Sequence, residues 1–251
     1  MKERPILFST PMVEAIQNDR KTQTRRMMKP QPDVFEYDGM FAMTDKSARW
    51  GAVTNPTYPP CPYGKVGDRL WVREKTRIVD WNDEGEVVFQ YADGTKSEWR
   101  QLYSDESDYD GEKYMEWWGR YCNRLESLGA KTDDYGQMSF DGVEFPWKPS
   151  IHMPRSACRI ILEITDVLCE RLQEISEQDA ISEGVETFRP VPGGGPAETM
   201  YRHYLKENKW GPSPVHSFQT LWQLINGHDS WAANPWIWAI SFKRIQDAGH
   251  Q

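Results

Sequence analysis

The sequence has few of the features that mark a secreted or membrane protein. Its four cysteines, at positions 61, 122, 158 and 169 of 251, are widely spaced and form no C-x-x-C pair, which favours free thiols over disulfides. No apolar run reaches the length of a membrane span, and the N-terminal residues Met1 to Ser9 are too short and too charged for a signal peptide. We therefore expect a cytoplasmic protein with no membrane partner.

The sequence also lacks the common phosphate, metal and triad motifs. Gly193-Gly194-Gly195 has no lysine-serine ending of a phosphate loop, and no G-x-S-x-G elbow is present. The five histidines show neither H-E-x-x-H nor paired Cys/His spacing. The sequence therefore predicts no metal and no cofactor.

Acidic residues exceed basic ones, and the formal net charge is -8. This balance argues against non-specific coating of nucleic acid, which requires net neutralisation of phosphates. It leaves room for a local basic pocket that takes one nucleotide or a short strand.

Such a basic segment, R-K-T-Q-T-R-R, occupies residues 20–26. It places the amine of Lys21 and the hydroxyl of Thr24 three residues apart, among the guanidinium groups of Arg20, Arg25 and Arg26. Groups packed this closely can bind an anion or activate a nucleophile. In the alternative interpretation, Arg20 and Lys21 merely complement the C-terminus of the preceding helix.

Local patterns place regular elements along the chain. Ser9-Thr10-Pro11 predicts a helix start, Ser176 predicts the cap of a helix that runs to Glu183 and ends at Gly184, and Asp93-Gly94 predicts a hairpin turn after 86–91. Alternation predicts strands at 69–74, 159–167 and 236–245, and an apolar stripe predicts a helix at 218–225. Residues 30–65 are predicted irregular, and 76–149 are aromatic, acidic and poorly periodic.

This order contains no βαβ units and predicts an α+β fold, a small and mostly antiparallel β-barrel with flanking helices and long insertions. We interpret the chain as one domain, 1–251. Its core comprises about 4–29, 64–76, 150–185 and 216–246, and residues 77–149 and 186–215 are insertions.

Four motifs occur together and in order: residues 20–26, G-D-R-L-W-V-R at 67–73, the helix of 176–184 that opens S-E-x-x-A, and W-x-W-x-I-x-F at 236–242. This order resembles the ASCH family, and the full-length chain resembles the ASCH-domain proteins carried by phages and prophages. The resemblance covers about half of the chain. It implies a PUA-like β-barrel related to modules that bind RNA or modified nucleotides.

Small bacterial members of that family hydrolyse N4-acetylcytidine to cytidine and acetate. The resemblance implies that Lys21 and Thr24 are catalytic, together with Glu183 if the later helix is matched without a gap. Thr24 would attack the acetyl carbon, a desolvated Lys21 would take the proton with a pKa lowered by the neighbouring arginines, and Glu183 would protonate N4. The predicted substrate-binding residues are Arg20, Arg25, Arg26 and Arg73.

Two other functions stay open at this point. One is a non-catalytic RNA- or DNA-binding module in which the arginines contact phosphates and an aromatic side chain stacks on a base. The other is a metal-independent nuclease that uses the same basic pocket. In each case the expected partner is a modified nucleoside or RNA, with single-stranded nucleic acid included.

Overall fold

Four α-helices and fifteen strands form the described part of a computed structural model, which comprises residues 1–31, 33–37, 40–44, 60–82, 84–102, 111–134, 138–189 and 199–245. The helices are α1 (Thr10–Gln17), α2 (Gly111–Glu126), α3 (Glu177–Ser182) and α4 (Pro214–Asn226). The strands are β1 (Glu3–Leu7), β2 (Gln23–Met27), β3 (Asp33–Tyr37), β4 (Met40–Thr44), β5 (Arg69–Arg73), β6 (Thr76–Trp81), β7 (Glu86–Tyr91), β8 (Arg100–Gln101), β9 (Lys131–Thr132), β10 (Met138–Ser139), β11 (Ile161–Arg171), β12 (Thr187–Phe188), β13 (Met200–Arg202), β14 (Trp210–Gly211) and β15 (Trp236–Ile245).

The chain divides into two compact units. The first consists of Met1–Arg4, Pro11–Leu70 and Ile161–Gln251, and the second of Pro5–Thr10 and Trp71–Ile160. The single domain with two insertions stays a prediction.

The largest sheet has the strand order β1-β5-β11-β15-β2. Its longest ladder is antiparallel and pairs β11 with β15, from Ile161 opposite Ile245 to Arg171 opposite Trp236. Strand β2 is also antiparallel to β15 and forms one edge of the sheet. The α+β class is confirmed, whereas the sheets of the described residues close no barrel.

Helices α3 and α4 share an apolar cluster with strand β15. Alternate strand residues Ile237 and Ala239 pack with Phe218 and Trp222 of α4 and Ala180 of α3. The predicted cap of α3 is confirmed, because the Ser176 hydroxyl accepts the main-chain N–H of Asp179 at 3.1 Å. A proline in the first turn and the Ser213 side chain begin α4 in the same way.

In the second unit, β6, β7 and β8 form a sheet. The hairpin turn at Asp93-Gly94 is confirmed, since Gly94 N donates to Tyr91 O at 3.0 Å and Tyr91 N donates to Thr95 O at 2.9 Å. Helix α2 was not predicted, although Tyr114, Tyr121 and Leu125 follow helical spacing and are buried. Its dense charge hides this apolar stripe.

The prediction that residues 30–65 are irregular is wrong for β3 and β4, which form an antiparallel hairpin with Asp33 opposite Thr44. The sequence between the two strands is Asp38-Gly39, a dipeptide typical of tight hairpin turns. The proline and glycine content of the segment favoured an irregular structure and obscured this two-residue turn signal.

In the described part of the chain, no helix is both long enough and apolar enough to cross a membrane. All four cysteines are free thiols.

Asp68 binds main-chain donors in the turn before β5. Its carboxylate accepts the N–H of Lys2 at 2.7 Å and of Lys65 at 3.3 Å, and an N–H of the Arg4 guanidinium at 3.1 Å. The hydrogen bond from Lys2 contributes most to holding the pKa of Asp68 below its ordinary value. The ionised carboxylate therefore stabilises the folded state.

Replacing Asp68→Asn should lower the free energy of unfolding at neutral pH, because the amide carries no charge and offers fewer acceptor sites to these donors. The pKa of Asp68 is lower in the folded state. Its contribution is therefore fully present above the unfolded-state pKa of about 4 and lost as the pH falls through the folded-state value. Urea unfolding across this pH range should show the gap between wild type and variant closing in acid, with exposed Asp229→Asn as control. A gap independent of pH would contradict the assignment.

Candidate active site

The basic segment links α1 to β2 through a tight turn. The main-chain N–H groups of Arg20 and Lys21 both donate to the Ala15 carbonyl, at 2.8 and 3.0 Å. Lys21 then pairs through its backbone with Glu183, the residue that ends α3. The turn and this backbone bridge thus place Lys21 beside a residue that is 162 positions away in sequence.

Lys21 and Glu183 form a buried ion pair. The Lys21 amine donates to the Glu183 carboxylate at 2.7 Å and to its main-chain carbonyl at 2.8 Å, and the two side chains are 0% and 4% exposed. Burial lowers the pKa of Lys21, the charge and hydrogen bond of Glu183 oppose this, and Arg26 and Arg25 lower it further. The direction is the predicted one, but desolvation is the main cause rather than arginine charge.

The Arg25 guanidinium is surrounded mainly by acidic side chains. Its guanidinium donates to Glu170 at 2.8 Å and to the side-chain oxygen of Gln23, and it lies 3.6 Å from Asp179 and 3.5 Å from Glu183. The group also sits 5.9 Å from the centre of the Phe218 ring. Arg25 is therefore neutralised within the first unit.

A pocket of about 80 Å³ lies beside this pair. Since one water needs roughly 10–15 Å³ of such volume, the pocket admits several waters or a small planar group. The lining residues are Met12, Thr24, Arg25, Arg26, Met27, Glu183, Phe218, Leu221, Trp222, Ile225 and Asn226.

Strand alternation separates the predicted nucleophile from its neighbours. Thr24 and Arg26 project from one face of β2, and Gln23 and Arg25 from the other. Four consecutive residues of the strand line the pocket, so the pocket follows the strand's outer edge. Thr24 is buried there, and two hydrogens of the Lys21 amine go to Glu183.

The outer edge of β2 presents main-chain groups. Phe242 N donates to Thr22 O at 2.8 Å and Met28 N donates to Trp236 O at 3.0 Å, which makes the even-numbered residues of β2 the hydrogen-bonded partners of β15. Because hydrogen-bonded and non-hydrogen-bonded pairs alternate in an antiparallel ladder, the N–H and C=O of Arg25 point away from β15. One donor and one acceptor thus face the free edge.

Buried polar atoms of the pocket residues that have no hydrogen-bond partner among the described residues include Nε of Arg25, Nε1 of Trp222 and Oε1 of Glu183. An indole N–H donates and a carboxylate oxygen accepts. Unsatisfied groups of this kind are costly unless a ligand or water completes them.

The other predicted binding residues have different surroundings. Arg20 is exposed, with a guanidinium N–H 3.5 Å from the Gly184 carbonyl. Arg26 lines the pocket, and burial lowers its pKa. Arg73 lies in the second unit, where it donates to the Met153 carbonyl at 3.1 Å. The side chains of Arg20 and Lys21 contact the carbonyl groups of Gly184 and Glu183 just after α3, whereas their main-chain N–H groups donate to Ala15 of α1.

Three polar residues around Arg25 were not predicted as part of the site: Gln23, Glu170 and Asp179. The two acids of α3, Asp179 and Glu183, are four residues apart and so share a helix face, and Gln23 shares the Arg25 face of β2. Both signals were present in the sequence. No sequence pattern linked Glu170 to the site, because Glu170 reaches Arg25 from β11 across the sheet.

Among the residues described by the structure, no group of three or more His, Cys, Asp or Glu side chains is arranged to hold a metal ion. Comparison with protein-family models, with curated proteins and with solved structures found no match.

Glu183→Gln should destabilise the protein strongly, because it leaves the Lys21 charge buried without its counter-charge. Breaking such a pair costs about 3–5 kcal/mol. The double variant Lys21→Met/Glu183→Gln should recover much of this loss, since Arg25 keeps Glu170 and Asp179. A double-mutant cycle by urea unfolding measures the coupling, and strictly additive losses would contradict a direct pair.

Gly184→Ala should push Lys21 out of place. A Cβ at this position would lie 2.8 Å from the Lys21 Cβ and 3.1 Å from the Ala15 Cβ, at a backbone φ of +83°. Gly67→Ala is the matched control, because Gly67 has φ +84° and open space around it. Urea unfolding should show a larger loss for Gly184→Ala, and equal losses would mean that backbone strain alone matters.

Proposed function

We propose that this protein is an ASCH-domain protein of PUA-like type that binds a modified nucleoside at the edge of β2 and hydrolyses the acetyl amide of N4-acetylcytidine. The observation that carries the proposal is the buried Lys21–Glu183 pair, 2.7 Å apart beside a pocket that Thr24 also lines. These are the three residues that the family resemblance implies to be catalytic.

The buried pair suits a step that needs both a base and an acid. Transfer of one proton from the Lys21 amine to the Glu183 carboxylate, over 2.7 Å, gives a neutral amine and a carboxylic acid. Burial lowers the pKa of Lys21, which makes its ammonium group a better proton donor. The pair then holds a proton acceptor and a proton donor at one site.

Acyl transfer would use both partners. As the Thr24 hydroxyl oxygen bonds to the acetyl carbon, its proton passes to the Lys21 amine. The bond from the acetyl carbon to N4 breaks, and Glu183 protonates N4, so that cytidine leaves and the charged pair is restored. Water then attacks the acetyl ester of Thr24, releases acetate and returns the hydroxyl proton.

The pocket's chemistry supports a nucleobase ligand. The N–H and C=O of Arg25 at the free edge complement the alternating donors and acceptors of a base edge, and Phe218 and Trp222 offer ring faces. Support for the PUA-like class comes from the order of the motifs, which fall on β2, β5, α3 and β15 around one largely antiparallel sheet.

A second candidate is binding of the nucleoside without turnover. Strand alternation favours binding without turnover. Thr24 projects from one face of β2 and Gln23 and Arg25 from the other, so the predicted nucleophile does not share a face with them. Because the charge of Arg25 is neutralised, the pocket suits a nucleoside better than a phosphate. Arg20 and Arg26 are then the arginines of the segment that remain to contact a phosphate.

Purified protein should release cytidine and acetate from N4-acetylcytidine, as followed by chromatography. Lys21→Met, Thr24→Val and Glu183→Gln should each lower kcat by about 100-fold or more, since each removes a proton-transfer or nucleophilic group. Thr22→Val is the matched control, because Thr22 is exposed on the same segment and should keep wild-type turnover.

Equilibrium dialysis with the same nucleoside separates the two candidates. Binding without turnover in the wild type would overturn hydrolysis and support the binding protein. Neither binding nor turnover would overturn both candidates. Equal turnover in Thr24→Val and Thr22→Val would overturn the role of Thr24 as the nucleophile.

A further inference from the structure

The second unit carries a row of basic and aromatic side chains that the pocket does not use. From Trp71 to Arg77 buried residues alternate with less buried ones, so that positions 72, 74 and 76 face the interior. The less buried positions are Trp71, Arg73, Lys75 and Arg77, of which Trp71 and Arg73 lie in β5, Lys75 lies between the strands and Arg77 lies in β6.

Two tryptophans lie under these cations. The guanidinium carbons of Arg73 and Arg155 are 5.1 and 5.8 Å from the centre of the Trp71 ring. The Lys75 amine and the Arg77 guanidinium carbon are 5.1 and 4.5 Å from the centre of the Trp147 ring. The backbone pairing of Thr76 with Lys148 explains the second group, since it places Trp147 opposite Arg77 on the same face.

Arg73 and Arg77 are held in place but weakly neutralised. Arg73 donates to the Met153 carbonyl, and Arg77 donates to the Phe145 carbonyl at 3.1 Å, so both use uncharged acceptors. The ion pair of Arg77 with Glu144 is 3.7 Å long, and the glutamate side chain is 83% exposed, a geometry worth little in water.

Glu74, the acidic residue between Trp71 and Arg77, faces the interior instead. The Glu74 side chain is buried, and its carboxylate accepts two hydrogen bonds from Arg159, at 2.8 and 2.7 Å. Counting the described residues alone, the outer face of the row is therefore mainly positive, in a protein whose net charge is -8.

We propose that this cationic row, formed by Trp71, Arg73, Lys75, Arg77, Trp147 and Arg155, binds single-stranded nucleic acid. Arg73, Lys75 and Arg77 are alternate residues of the chain, so their Cα atoms are at most roughly 7 Å apart from one to the next, a spacing that suits successive phosphates of an extended strand. Trp71 and Trp147 provide stacking faces for bases, with arginine adding cation–π contacts. The row belongs to the second unit and the pocket to the first.

Ring faces distinguish this partner from other polyanions. An acidic peptide meets the charges but has no base to stack, and the paired bases of a duplex are stacked on one another. Ring faces and phosphate contacts read neither base identity nor the 2′-hydroxyl. RNA and DNA single strands should therefore bind alike.

Fluorescence anisotropy of the full chain with labelled oligouridylate and oligothymidylate of about 12 nucleotides tests the proposal. With three phosphate contacts, the slope of log affinity against log salt should be about -2, and it should fall to about -0.7 in Lys75→Gln/Arg77→Gln. The matched control Arg120→Gln/Lys131→Gln removes the same charge from exposed positions of the second unit and should leave affinity and slope unchanged.

Stacking has its own test. Trp147→Ala should weaken binding about tenfold with the salt slope unchanged, and Trp147→Phe should keep most of the affinity. Quenching of wild-type tryptophan fluorescence by the oligonucleotide gives the same information without a substitution.

Undetectable binding, or equal losses in the test and control variants, would overturn the proposal. So would equal affinity for polyglutamate or for duplex of the same length, because the tryptophans would then contribute nothing. The readout is independent of deacetylation, so either result leaves the pocket's own test intact.

Discussion

The buried pair of Lys21 and Glu183 is the interaction on which the site of the first unit depends. Removing two charges from water costs several kcal/mol for each ion, and a contact of 2.7 Å with a second hydrogen bond to the Glu183 carbonyl offsets that cost. The same contact holds the start of β2 against the end of α3. Glycine at 184 follows from it, because any side chain there would meet Lys21.

Positive charge has different surroundings in the two units. In the first unit the basic segment is largely neutralised, since Arg25 contacts Glu170, Asp179 and Glu183 and Lys21 contacts Glu183. A site built this way suits proton transfer and an uncharged base better than a phosphate. In the second unit, arginines held by carbonyl groups keep their charge available on a surface with ring faces. The basic segment at 20–26 is thus less suited to bind a polyanion than the cationic row of the second unit, although it is the more basic of the two in the sequence.

Elements with strong local signals were predictable. Ser176 and Asp179 form the capping box that begins α3, and alternating apolar residues mark β15, because a cap or a strand face is encoded within a few residues. Helix α2 and the hairpin of β3 and β4 were missed where charge, proline and glycine obscured a short apolar pattern. The predicted barrel does not close among the described residues, and alternation could not reveal this, because closure depends on which strands pair.

The sequence by itself determined the composition of the basic segment, the capped start of α3 and the alternating faces of β15. Those properties come from neighbours a few positions apart. Only the tertiary structure decided that Lys21 meets Glu183, that burial lowers the pKa of Lys21 and that Arg25 is surrounded by acids. These contacts join residues more than a hundred positions apart, and desolvation exists only once the chain has packed around them.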